Sequence, residues 1–145
     1  MQKPALLRTA LEKAVPELAA NPENLGMWVV QGSVKIRKKT LGHTQSYRLC
    51  IGIVDLDSQA QDRVTLAIIN WLQEWEPDLN ARAGDDGLTF EVDVLGDRTV
   101  NILYTVHLVE EVMVKVDQHN TVTEIRYRKP PQEYPDLSWP GLPSC

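Results

Sequence analysis

No stretch of the 145-residue sequence is apolar for the roughly 18 residues that a bilayer span requires. Its start, Met1-Gln2-Lys3-Pro4, leads into an amphipathic pattern rather than a cationic stretch followed by an apolar core, so no export signal is expected. Cysteine is scarce. Cys50 lies inside an apolar strand pattern and Cys145 is the last residue, which predicts a buried thiol and a free exposed one in a reducing compartment. Histidine is scarce too: His43, His107 and His119 fall in a turn, a strand and a turn, without the short spacings that build a metal site. No metal and no cofactor are expected. Neither Gly-x-x-x-x-Gly-Lys nor Gly-x-Gly-x-x-Gly occurs, so neither phosphate-cradling loop is supported. Positive charge is in deficit as well. A formal net charge of −5 and a pI near 5.2 give a field that repels nucleic acid and anionic membranes, so any contact with DNA is local.

What is present is ordinary globular composition, 43% hydrophobic and 24% charged, in a chain of single-domain length. Apolar spacing predicts a helix over 4–14 and a short turn over 17–20 after Pro16. Two strands, 27–31 and 33–40, are expected to hinge at Gly32 and pair as a hairpin, followed by a central strand over 47–54. Asp57 and Ser58 offer capping oxygens to a helix that runs to Trp75, with Val64, Ile68, Trp71, Leu72 and Trp75 on one stripe. Alternation from Leu88 to Val94, over 98–116 and over 121–128 then predicts a meander of three strands. This order gives an α+β protein, a mainly antiparallel (mixed) β-sheet with two helices packed on it. The domain is expected to cover 1–128, and the prolines from Pro130 onward make 129–145 an extended Pro-rich tail.

The strand over 98–116 poses a problem of length. At about 3.3 Å per residue it measures about 60 Å, whereas a compact chain of this size is about 40 Å wide. Glu110 also interrupts its apolar face, and a buried carboxylate there is costly. Neither Glu110-Glu111 nor Asp85-Asp86 serves as an acid–base pair, because adjacent strand residues point to opposite faces. Two readings of the interruption stand side by side. Either the strand bulges at Glu110-Glu111, or its second half, Val112, Val114 and Val116, packs on a neighbouring subunit with Glu110 and Glu111 marking the bend.

Four tryptophans differ in kind. Trp71 and Trp75 belong to the core stripe, Trp28 is a candidate for the subunit interface, and Trp139 stands with Tyr134 and Leu137 in a proline-stiffened segment suited to docking on a partner or back on its own domain. Lys35, Arg37, Lys38 and Lys39 form a basic hairpin tip, either a DNA or sheath contact or a solvated face that blocks edge aggregation.

Three stretches carry more than periodicity: KPALLRTALEKAVPELAANPENL, AIINWLQEWEPDL and GLTFEVDVLGDRTVNILYTVHLVEEVMVKV. Together, in order and over most of the chain, they resemble the tail completion protein R (GpR-like) family of contractile-tailed phages and related prophages. The resemblance implies a non-enzymatic virion structural protein, a tail terminator that caps the head-proximal end of tail tube and sheath. Terminators of this type are similar to small α/β proteins that close into six-membered rings. The partners implied are further copies of itself, the tube and sheath proteins and the head–tail connector, with DNA met only in passage or by weak local contact, and no membrane. The implied location is the virion tail, assembled in the bacterial host cytoplasm. The alternatives are a neck adaptor joining tail to connector, or another non-enzymatic assembly factor.

Overall fold

In the computed structural model, which describes residues 1–129, two helices and two short helical turns cover one face of a five-stranded sheet. Helix α1 (Lys3–Ala14) carries Pro4 in its first turn, where the missing N–H costs nothing, and stops at Val15, whose backbone is extended ahead of Pro16. α2 (Pro16–Ala20) follows. Strands β1 (Leu25–Ile36) and β2 (His43–Asp57) pair antiparallel, and the Asp57 side chain accepts from Gln59 N–H (3.0 Å) to open the turn into α3 (Gln61–Trp75). A five-residue helix, α4 (Leu79–Ala83), leads to β3 (Leu88–Val94), β4 (Thr99–Val116) and β5 (Val122–Tyr127).

The sheet order is β1-β2-β4-β3, with every pair antiparallel. Even-numbered residues of β4 from Val100 to Leu108 face the helices, as do Leu49, Ile51 and Ile53 of β2, and Leu7, Leu11, Val64 and Ile68 close over them. Alternation in the strands and the three-to-four spacing in the helices thus meet in one core. Among the described residues no helix lies on the other face of the sheet, the open side.

β4 resolves the length problem without breaking into two strands. Along one edge it pairs with β2 from Thr99 to Val112; along the other it pairs first with β3 from Val100 to Val106 and then with β5 from Val112 to Val116. Two strands in tandem therefore cover what one strand cannot reach. Of the two readings of Glu110-Glu111, the bulge is not found: the register with β2 is unbroken from His43↔Val112 to Ile53↔Ile102. β4 keeps its register with β2 as far as Val112 and its last four residues run beyond β2, carrying the β4–β5 hairpin, whose own register slips between Lys115 and Val116.

One other expectation is corrected. Residues 27–31 and 33–36 are not two strands of a hairpin but parts of β1, interrupted by a bulge between Val30 and Ser33 where Gln31 adopts a positive φ of 53°, and 37–40 belong to the turn that follows. Gly32 marks the irregularity, and the hairpin turn comes later, between Ile36 and His43. The α4 turn was not foreseen, since Pro77 read only as a terminator.

Candidate assembly surfaces

Glu110 is 2% exposed and fully satisfied. Its Oε1 accepts from the main-chain N–H groups of Gln2 (2.8 Å) and Lys3 (3.2 Å), and its Oε2 accepts from the Tyr47 hydroxyl (2.6 Å). α1 has no side-chain cap of its own at Gln2, so a carboxylate 108 residues away caps it, at the positive end of the helix dipole. That removes the penalty of burying Glu110 and with it any need for a bulge. Burial foremost, and the neighbouring Glu110 second, push the Tyr47 hydroxyl far above its usual range, so it remains a donor.

A second buried cluster fills the interval of β4 between its partners β3 and β5. Glu76, at the end of α3, accepts from Lys3 Nζ (2.5 Å) and Val109 N–H (3.1 Å) through Oε1 and from Arg82 Nη2 (3.1 Å) through Oε2. Lys3 Nζ also donates to the carbonyls of Val109 (2.6 Å) and Trp75 (3.1 Å), and Arg82 donates to the carbonyl of His107 (3.2 Å). Side chains thereby stand in for the missing strand: the main-chain groups they satisfy lie where neither β3 nor β5 reaches. Sequence reasoning singled out none of Lys3, Tyr47, Glu76 and Arg82. The only signal was Glu110 itself, a carboxylate on an apolar face.

His107, opposite Arg48 on the open side, has its pKa lowered, first by burial and then by Arg48 and Arg82, with Asp86 opposing weakly. A depressed folded-state value means that the unfolded chain takes up a proton first. Stability on this account is fully present above 6.5, the ordinary histidine value, and declines as pH falls through it toward the lower folded value. Urea denaturation of wild type and His107→Gln across this range will show a shallower acid-side decline in the variant.

Among the described residues no group of three or more His, Cys, Asp or Glu side chains is arranged to hold a metal ion. A groove of about 900 Å³ beside α3 is lined by Ile69, Leu72, Leu79 and Leu88 with scattered polar groups.

The surfaces are more distinctive than the hollows. Beyond α1, on the helix side of the sheet, Val34, Ile36, Val116 and Ile125 are exposed, with Ile36 at 84%; Val114, opposite Ile125, is half-buried. Of the interface candidates, Glu110 and Val112 are buried within the chain itself, Glu111 is half-buried and bonded to Arg128, and Val114 and Val116 are the accessible pair. Trp28 is apart from them, on the open side of β1. It is 48% exposed and lies flat over Gly52, where a Cβ would sit 3.0 Å from its ring. Lys35, Arg37, Lys38 and Lys39 are all exposed at the β1–β2 tip, with Arg37 donating to Thr44 (3.1 Å) and 3.9 Å from Glu111. Tyr134, Leu137 and Trp139 lie outside the described residues, as does Cys145; Cys50 is buried.

A further bare strip runs along β3. Phe90, Val92 and Val94 point to the helix side yet are exposed, because α3 leaves the edge of the sheet uncovered; Leu66 and Ile69 of α3 are exposed alongside. The molecule thus has apolar strips at both lateral edges of its sheet.

Residues 1–131 match the family described as P2 phage tail completion protein R (GpR). Tail completion protein R of Escherichia phage P2 is 30% identical over 136 residues, which make up 91% of this chain and 87% of that protein. No solved structure matches the chain. With the family's pattern spanning nearly the whole sequence, from α1 through β5, the chain belongs to the P2 phage tail completion protein R family.

Proposed function

We infer that this chain, a phage tail completion protein by family, acts as the tail terminator: a homo-oligomeric ring, hexameric by analogy, that caps the head-proximal end of the tail tube and sheath. The role is structural and non-enzymatic, exercised in the virion tail after assembly in the host cytoplasm. A ring is built from heterologous contacts, in which one patch on each subunit meets a different patch on the next. The observation that carries the reading is the shelf of Val34, Ile36, Val114, Val116 and Ile125, which the chain's own helix layer leaves uncovered. Scattered single apolar residues are normal on a surface, whereas apolar residues gathered at the ends of two hairpins suit a neighbour. Trp28 and Glu111 lie on the open side and are contacts for tube, sheath or connector on this reading.

Tail length tests it. Particles lacking the protein will carry overlong or unstable tails when viewed by electron microscopy; tails of normal length that fail to join heads will reject termination in favour of a neck adaptor. At the level of the subunit, Val114→Asp leaves the fold intact, since Val114 is only half-buried, but abolishes the oligomer in sedimentation. A Val114→Asp chain that still assembles will remove this shelf from the interface.

A further inference from the structure

We propose, building on the ring reading, that the distal end of β1 in one copy pairs antiparallel with the outer edge of β3 in the next. Both edges are free: among the described residues no hydrogen bond reaches the outer side of β1 from Gly26 to Ile36 or of β3 from Leu88 to Val94. Unpaired edges of this kind are templates for another strand. The strand order gives the right polarity. β1, β2, β4 and β3 alternate in direction across the sheet, so β1 and β3 run opposite ways, and a copy added in the same orientation continues the alternation.

The side chains match on both faces. Val34 and Ile36 lie on the helix side and Lys35 on the open side, with Arg37 just past the strand end. Phe90, Val92 and Val94 lie on the helix side and Glu91 and Asp93 on the open side. Every one of these residues is exposed. Edge to edge, apolar side chains meet apolar ones beneath the helices, and Lys35 and Arg37 meet Glu91 and Asp93 on the opposite face. The neighbour's α3 then brings Leu66 and Ile69 toward the bare shelf of Val34 and Ile36. The bulge between Val30 and Ser33 breaks the rest of β1 away from such pairing and confines it to the distal segment.

Charge also selects the register. If copies stood level, Lys35, at the height of Glu111, would lie beside Arg128 of the next copy, which bonds Glu111 there. Meeting Glu91 or Asp93, at the heights of Leu103 and Asn101, shifts the next copy along the strands by eight or ten residues, about 26–33 Å. With four strands spanning about 19 Å, the strands of a closed ring lie about 54–60° from its axis.

Two measurements on the full-length chain test this. In a Cys145→Ser background, Lys35→Cys combined with Asp93→Cys or Glu91→Cys will give, on oxidation, a covalent ladder from dimer up to the ring. Lys35→Glu with Arg37→Glu, or Glu91→Lys with Asp93→Lys, will each weaken association by about tenfold or more in sedimentation, and the chain carrying all four changes will regain it. If the wild type assembles but shows no such cross-links and no response to charge reversal, this contact is refuted while the ring stands. If the wild type remains a single chain both in solution and in cross-linked, isolated tails, the ring reading falls and the contact falls with it.

Discussion

Glu110→Ala will destabilise the folded chain by about 3–5 kcal/mol, measured as the shift in urea denaturation, out of a total that for domains of this size is about 5–15 kcal/mol. The carboxylate receives two amide donors at the start of α1 and the Tyr47 hydroxyl; the bonds from Lys3 and Tyr47 are buried and that from Gln2 is part-buried. Alanine offers none of them an acceptor, and each buried orphan donor costs about 1–3 kcal/mol, offset in part because a buried charge is no longer present. Two variants separate the contributions. Tyr47→Phe removes one donor together with its need and will cost only about 1–2 kcal/mol. Glu110→Gln retains an acceptor for the amides while losing the charge that the helix dipole favours, and will fall between the two. If Glu110→Ala melts like the wild type, the cap is not holding α1 in place.

Glu76→Ala will have an effect of similar size, about 3–5 kcal/mol, because it strands the Lys3 ammonium, 6% exposed, among carbonyls without a counter-charge and leaves Val109 N–H unpaired. Lys3→Met paired with Glu76→Leu will be considerably less harmful than the sum of the two single changes, since replacing a buried ion pair by apolar side chains is far gentler than leaving one charge behind. Arg82, more exposed than either, is the partner whose loss is tolerated best. A double variant as unstable as the sum of the singles will show that Lys3 and Glu76 act independently.

Most of the architecture is legible in the sequence, because it rests on periodicity. The stripe of Val64, Ile68, Trp71 and Leu72 in α3, the alternation of Leu88 to Val94 and of Val100 to Leu108, and the turn chemistry of 84–87 and 117–120 are local signals, and the elements follow them. What escaped is non-local. Gln31 carries no mark of a bulge, since its positive φ is imposed by the sheet on either side, so β1 read as two strands. The fate of Glu110 was posed by the sequence and not answerable there. An apolar series broken by a carboxylate shows that something unusual happens, but the amides that resolve it come from the opposite end of the chain. The same holds for Glu76, which read as the end of a helix and serves as a surrogate partner for β4. The surface candidates divide along similar lines: alternation placed Val114 and Val116 on the same strip, but which of them the chain would cover itself depended on where α1 stops and where β5 begins.

The cap on α1 also bears on when the molecule can form. During synthesis the first helix leaves the ribosome long before the strand that supplies its acceptor, and a twelve-residue helix in water, deprived of that carboxylate and of the sheet beneath it, is marginal. The N-terminal segment therefore waits for almost the entire chain. Contacts of such sequence separation make folding slow, so α1 is secured only once β4 has been made and has reached it.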